Sequence, residues 1–271
     1  MTWTKAKIAA VVGVSLLAAG GITFVVLKTV RRRPPLNPRV ELKQRVWPKE
    51  RKLEAERIRK RQATDETKGA TTIDLRPYIN TKLTDAPSCW KGNNENNLSE
   101  LPVGKHIYAG VPFDVQGSIQ LMGGWLKHYA KTYPLLVTNI SIGRQCDKLY
   151  LLHGNSFIAP TNFGTAVSQL VLHYADSSTR QIDIVAGQEA FDFWYPLFKS
   201  GVPPKYLQMA PGTERAWTGS NPYIRRWQPE LSLVLYKSTF YNPQPELAVS
   251  SVDFVSTGTI TCPFLVGLTV E

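Results

Sequence analysis

The chain has 271 residues, with 32 Lys/Arg, 21 Asp/Glu and a formal net charge of +11. Residues 1–61 hold 16 Lys/Arg and 4 Asp/Glu, a net of +12, whereas residues 62–271 hold 16 and 17, a net of −1. The basic character is therefore local, and a uniformly polycationic protein is excluded. Cys89, Cys146 and Cys262 are too few for a disulfide scaffold, although one disulfide with a spare thiol stays open.

An uncharged, mainly apolar run covers residues 8–27. A transmembrane helix needs about 20 such residues, so this run predicts one membrane-spanning helix after a short basic N-terminus, residues 1–7. A cleaved signal peptide is the alternative, with Lys5 and Lys7 as its basic region and small residues in the middle for cleavage. We favour the anchor because the apolar run continues well past those small residues.

Residues 28–72 are predicted to form a basic stalk and linker. Three prolines disfavour a helix near its start, and a charged helix is expected from Pro48 to about Gln62. Its few apolar residues make too thin a stripe for a core. The stalk is expected to be a solvated spacer or to contact anionic lipid headgroups, where each Lys/Arg adds about 1 kcal/mol. Nucleic-acid binding is disfavoured because no aromatic residues are interleaved with the charges.

Residues 73–271 are predicted to form one all-β domain. Short runs rich in Val, Ile, Thr, Tyr and Phe alternate with turn residues, as half-buried strands do. The predicted strands are 106–109, 113–121, 135–142, 148–153, 166–174, 181–185, 231–236, 249–255 and 264–270. Residues 174–180 predict a hairpin loop between two of them, and no long amphipathic helix is apparent. Many short strands with irregular loops indicate a β-sandwich.

A series of short motifs in this domain carries a resemblance. They are LPVG at 101–104, AGVPFDVQG at 109–117, LYLLH at 149–153, HYAD at 173–176, DFW at 192–194, AWTGSNP at 216–222, YNPQPE at 241–246 and PFLVGLT at 263–269. Their order resembles a jelly-roll module of bacterial envelope and secreted proteins of the planctomycete–verrucomicrobial type. It is also similar to the galactose-binding-like and carbohydrate-binding sandwiches attached to glycosidases. The resemblance implies a jelly-roll β-sandwich and a binding role.

The resemblance and the charge pattern give different locations for the body. Envelope modules lie outside the cytoplasm, whereas the Lys/Arg excess after the helix favours a cytoplasmic body. We expect an extracytoplasmic body on a single-pass anchor. The expected function is non-catalytic binding of carbohydrate or a cell-envelope polymer. The alternative is a structural or assembly protein of the envelope, with the sandwich contacting another protein.

Aromatic and planar polar side chains supply the candidate ligand contacts, because sugars bind flat aromatic faces with polar groups around them. Residues 186–228 are predicted to form long loops, where sandwiches tend to carry sites. The candidates are Asp192, Trp194, Tyr195, Trp217, Asn221, Arg225 and Trp227, and Trp90, Tyr223 and Arg226 are further candidates. For any single aromatic residue, the alternative is a place in the sandwich core.

Catalytic and metal-binding motifs are not apparent. The histidines His106, His128, His153 and His173 lie in no HxH, HExxH or GxSxG pattern. His153 and His173 lie near strand ends, where they either approach one another or are held by separate hydrogen bonds. The carboxylates Asp176, Asp183, Glu189 and Asp192 show no marked pair for glycoside hydrolysis. No EF-hand spacing supports calcium, so we expect neither an enzyme nor a cofactor.

Overall fold

Strands dominate the residues that the structure describes, as the β-branched and aromatic composition predicts. The computed structural model describes residues 69–86, 94–124, 133–196 and 209–271. The predicted transmembrane helix and nearly all of the predicted stalk lie outside these ranges. The first described strand lies just before residue 73, the predicted start of the domain.

The described ranges hold strands, one α-helix and two short 3-10 helices. The strands are β1 (Thr71–Thr72), β2 (Gly104–Tyr108), β3 (Val111–Val115), β4 (Ile119–Gln120), β5 (Leu136–Arg144), β6 (Lys148–Ser156), β7 (Ala166–Tyr174), β8 (Thr179–Val185), β9 (Trp194–Tyr195), β10 (Glu214–Gly219), β11 (Ser232–Tyr241), β12 (Val249–Ser256) and β13 (Cys262–Val270). The helix α1 is Pro222–Trp227, and the 3-10 helices are Arg76–Tyr78 and Pro160–Asn162.

Each of the nine predicted strands overlaps an observed one, and two predictions need correction. The run 113–121 is two strands, because β3 pairs with β2 whereas β4 pairs with β13. The predicted loops of 186–228 contain β9, β10 and α1. The predicted hairpin loop is confirmed, since β7 and β8 pair antiparallel around it.

Antiparallel pairing builds two main sheets. The large sheet has the order β1-β13-β6-β11-β10, with β4 beside β13 and β9 beside β11. The small sheet has the order β5-β12-β7-β8. Every residue of β6 is buried, which shows that both faces of the large sheet are covered there. The described residues therefore form an all-β, sandwich-like body.

The main core lies between the two sheets. Strand side chains alternate between faces, and those of β6, β7, β12 and β13 that face inward are apolar. They include Leu149, Leu151, Leu170, Leu172, Val252, Phe254, Leu265 and Leu268. This apolar layer is the interface that holds the sheets together.

A second apolar cluster covers the opposite face of the large sheet. It joins Tyr150, Leu152, Leu233, Leu235, Phe264 and Val266 to Phe113 of β3 and Ile224 of α1. The β2–β3 hairpin and α1 thus form a third layer. A Cβ on Gly154 would lie 2.5 Å from the Phe264 ring, so glycine at this position lets the ring pack against β6. This third layer carries the candidate site.

Candidate functional site

The predicted site residues lie along one edge of the large sheet, where β9 and β10 both pair with β11. Trp194 and Tyr195 are consecutive in β9, so their side chains point to opposite faces of the sheet. Trp194 packs against the cluster beneath α1, whereas Tyr195 lies against Arg215. The structure therefore divides the predicted set between two faces.

Asn221 starts α1 and holds it in place. Its Oδ1 accepts a hydrogen bond from the Ile224 N–H at 2.7 Å, which is an N-cap, and Pro222 follows at the start of the helix. Its Nδ2 donates to Asn96 Oδ1 at 3.1 Å and to the Asn97 carbonyl oxygen at 3.0 Å. Asn221 is fully buried, so its amide positions the helix and is not presented to solvent.

Asn96 also orders the aromatic part of this face. Its Oδ1 accepts a second hydrogen bond, from Trp194 Nε1 at 3.2 Å. Trp194 stacks on Tyr223 with ring centroids 5.7 Å apart and an interplanar angle of 24°. Such a pair adds about 0.5–1.5 kcal/mol beyond its area burial. One buried amide thus links β9 to the cap of α1 and to the stacked rings.

Trp217 lies in β10, half-buried against the same apolar cluster. A Cβ on Gly219 would lie 2.2 Å from the Trp217 ring. The glycine therefore leaves the space that this indole occupies at the end of the strand. Trp217 contributes packing beneath the side of α1 that carries Tyr223 and Trp227, which we call the α1 face. Part of the Trp217 side chain stays open to solvent.

Trp227 is the open aromatic residue of α1. It is 60% exposed and follows Tyr223 by four residues, the spacing that places two side chains on the same side of a helix. Tyr223 is half-buried because Trp194 lies against it. The aromatic surface therefore begins inside the third layer and ends in solvent at Trp227.

Two ion pairs tie α1 to the segment before β2. Arg225 binds Glu100, and Arg226 lies 3.3 Å from Glu95. The Arg225 side chain is the main reason that the pKa of the Glu100 carboxyl lies below its usual range. Both pairs are exposed, so they contribute little stability, and they neutralise the two cations of the helix.

Asp192 precedes β9 and accepts hydrogen bonds from the backbone. Its Oδ1 accepts from the Trp194 N–H at 2.9 Å and its Oδ2 from the Ile158 N–H at 3.0 Å. Burial raises the pKa of Asp192 to about 7, although these N–H groups act in the opposite direction. The carboxylate therefore positions the start of β9, and it titrates close to neutral pH.

Tyr195 and Arg215 form a separate contact on the opposite face. The Arg215 guanidinium carbon lies 3.8 Å from the centroid of the Tyr195 ring, a cation–π geometry worth about 0.5–1 kcal/mol at an exposed site. Tyr195 is 36% exposed. This pair stands apart from the α1 face and shares with it only the strand β9.

The two histidines near strand ends are held by separate hydrogen bonds. In the large sheet, His153 Nε2 lies 2.9 Å from Ser238 Oγ, which lies 3.1 Å from Thr213 Oγ1. Burial lowers the pKa of His153 to about 4, so it is neutral at physiological pH. In the small sheet, His173 Nε2 lies 2.9 Å from Asp253 Oδ2. The two histidines lie in different sheets and share no partner.

The remaining predicted carboxylates are engaged locally. Asp176 accepts from the Ser178 N–H, Asp183 from the Gln169 and Gln181 amides, and Glu189 from the Val185 N–H. Within the described ranges, no three His, Cys, Asp or Glu side chains are grouped as metal ligands. Each of these carboxylates thus has a local structural role.

Cys146 and Cys262 are both buried, and burial raises the pKa of Cys146 to about 11. Cys89, Trp90 and His128 lie outside the described residues.

Among the described helices, none has the length and apolarity required to cross a bilayer.

No protein-family model, curated protein or solved structure matches this chain. Its class therefore follows from its own geometry, which is that of a mostly-β, multi-sheet domain with a sandwich-like body. Within that class, the α1 face is the surface where exposed aromatic area, ordered polar groups and a fixed helix coincide.

Sequence reasoning missed two contributors to this region, Asn96 and Arg215. Asn96 belongs to a run of polar residues that carries no motif, and its role depends on partners 98 and 125 residues away. The helix itself carried a readable signal, because Asn followed by Pro is a typical start. That signal at Asn221 and Pro222 would have placed Tyr223 and Trp227 on one helix.

Proposed function

We propose that this protein is a membrane-anchored, non-catalytic binding module for carbohydrate or a cell-envelope polymer, built on a galactose-binding-like jelly-roll plan. The observation that carries the proposal is the exposed Trp227 on the same side of α1 as Tyr223. A tryptophan in this setting offers a flat apolar face to solvent at little conformational cost, as saccharide-binding surfaces do.

The seven predicted residues take different roles in this proposal. Trp227 contacts the ligand directly, and Trp194 supports Tyr223 from behind. Asn221 fixes the helix, and Asp192 fixes the strand that carries Trp194.

The other three predicted residues lie at the borders of the α1 face. Trp217 packs beneath it, and Arg225 lies at its rim, where it is paired with Glu100. Tyr195 lies on the opposite face, where it extends the surface only if the ligand passes around the sheet edge.

The proposed cellular arrangement combines the apolar run and the basic stalk with the resemblance to envelope modules, which favours an extracytoplasmic body. The apolar run 8–27 anchors the protein, the basic stalk contacts anionic lipid, and the body lies outside the cytoplasm. Carbonate washing of membranes followed by protease treatment of intact cells tests this arrangement. Release of the chain into the aqueous fraction contradicts the anchor, and protection of the body from protease contradicts the extracytoplasmic location.

A glycan array probed with the full-length chain, followed by calorimetry on the sugars that bind, tests the function. We expect Trp227→Ala to weaken binding by about 10-fold or more, which corresponds to about 1.4 kcal/mol. Leu136→Ala is the matched control, since Leu136 is also exposed but lies in β5 of the other sheet. No binding across the array, or equal binding by both variants, contradicts the proposal.

A specific observation also supports the second candidate, an assembly protein of the envelope. Strand β5 is an edge of the small sheet, and Leu135 and Leu136 at its start are 50% and 47% exposed. In the described part of the chain, β12 is the one strand that pairs with β5, and exposed apolar residues at such an edge favour contact with another protein chain. Cross-linking in intact cells tests this role, with loss of a cross-linked product in Leu136→Lys as the expected outcome.

A further inference from the structure

The spacing of the aromatic residues on α1 sets the size of the ligand. Tyr223 and Trp227 are four residues apart, and an α-helix rises about 1.5 Å per residue. The two side chains are therefore about 6 Å apart along the helix axis, which is close to the length of one sugar unit in an extended chain. Two consecutive rings of one polymer thus match two consecutive aromatic residues.

The surface formed by Tyr223 and Trp227 is largely ordered before a ligand binds. Tyr223 is stacked on Trp194, whose indole N–H is bonded to Asn96, and the helix is capped by a buried Asn221. Of these two aromatic side chains, Trp227 is the one that loses conformational freedom when a ligand binds. A preorganised surface of this kind converts more of the contact energy into affinity.

The net charge around α1 indicates whether the ligand is a neutral or an acidic polymer. The charged side chains of α1 are Arg225 and Arg226, and those of the facing segment 94–100 are Glu95 and Glu100. Two positive and two negative charges cancel, and the structure joins them in two ion pairs. An acidic polymer would have to break these pairs or meet the two carboxylates, whereas an uncharged one would not.

We propose that the ligand of the α1 face is a linear, uncharged glycan that places two consecutive sugar rings on Tyr223 and Trp227. This inference rests on the proposed function and narrows its ligand to a chemical class. Arg225 and Arg226 are paired with glutamates here, and they are not salt-bridge donors to the ligand.

Calorimetry on the full-length chain tests the inference with four probe series of one to four units. The series are cello-, manno- and chito-oligosaccharides and the acidic oligogalacturonates. We expect at least one uncharged series to gain about 10-fold in affinity from one unit to two, with little further gain. Trp227→Ala should remove this gain, Trp227→Phe should restore part of it, and Leu136→Ala should keep it.

Salt dependence and one charge variant complete the experiment. We expect Arg226→Gln and a rise in ionic strength to change affinity by less than about twofold, since paired charges add little at an exposed surface. Tighter binding of the oligogalacturonates, or affinity independent of length, overturns the inference and leaves carbohydrate binding intact. Absence of binding in all four series and on the glycan array overturns both.

Discussion

The two faces of the large sheet are held in different ways. Between the sheets, alternating apolar side chains such as Leu151, Leu170 and Phe254 meet in a single core. On the opposite face, α1 is fixed by a short chain of polar contacts, in which Asn96 joins Asn221 to Trp194. Both faces are stabilised by area burial, and on the second face a few directional bonds also fix the position of α1.

This difference separates stability from function. A core that rests on buried area tolerates changes in its surface residues, because no single surface contact holds it. A helix that packs on an apolar cluster and is positioned by one buried amide can present an exposed aromatic residue at fixed geometry. The α1 face therefore has the properties of a binding surface on a body whose stability comes from elsewhere.

The largest expected effect is in the inter-sheet core. Phe254 is fully buried, so Phe254→Ala should lower the free energy of unfolding by about 4 kcal/mol through lost burial and the cavity left behind. Urea unfolding followed by circular dichroism measures it. The control Leu136→Ala, on the exposed edge of the same sheet, should change stability by less than about 0.5 kcal/mol. A loss below about 1 kcal/mol for Phe254→Ala would show that the two sheets do not share this core.

The next effect is a pair of opposing titrations in and beside the large sheet. Asp192 has a pKa raised from 3.8 to about 7, so its contribution to stability is present at low pH and is lost as pH rises toward 7. His153 has a pKa lowered from 6.5 to about 4, so its contribution is present above 6.5 and is lost as pH falls toward 4. The shifts correspond to roughly 4 kcal/mol for Asp192 and roughly 3 kcal/mol for His153.

Because the two titrations oppose each other, we expect nearly constant stability of the natural protein between pH 4.5 and 6.5. In Asp192→Asn only the pH dependence caused by His153 remains, so that stability rises with pH. In His153→Gln only the pH dependence caused by Asp192 remains, so that stability falls with pH. Urea unfolding at half-unit pH steps measures both slopes. If stability changed with pH in the same direction in both variants, then Asp192 or His153 would not be buried as described.

A smaller effect is expected at the cap of α1. Asn221→Ala should cost about 2 kcal/mol, because it removes an N-cap and leaves buried oxygens of Asn96 and Asn97 short of a donor. Asn221→Ser keeps the capping oxygen but loses the amide donors, so it should cost about half as much. Equal losses in both variants would show that the cap contributes nothing and that the amide donors alone hold the helix.

The strands of the two main sheets could be predicted from the sequence better than the candidate site could. The bounds of β7 were predicted in full because its run of mainly apolar residues, with Val167, Val171 and Tyr174, ends at turn residues. The prediction for β6 stopped at His153, three residues early, because Gly154, Asn155 and Ser156 are poor strand formers that become part of the strand by pairing with β13.

The candidate site was less predictable because its geometry is not local. Trp194, Asn221 and Trp227 were selected by residue type, which is sufficient to find aromatic and amide side chains near one sheet edge. Which of them is buried depends on Asn96, which is 125 residues from Asn221 in the chain. No periodicity or spacing encodes such a bond, and the division between the two faces of β9 is likewise visible only in three dimensions.

The smallest expected effect on stability is at the most exposed aromatic residue. Trp227→Ala should change the free energy of unfolding by less than about 0.5 kcal/mol, since 60% of the residue is already in solvent. Trp194→Ala should cost clearly more, because it removes a stacked ring and the indole donor to Asn96. Urea unfolding of both variants gives the comparison. Equal losses would mean that Trp227 packs into the body as Trp194 does, and the case for a ligand surface on α1 would then fail.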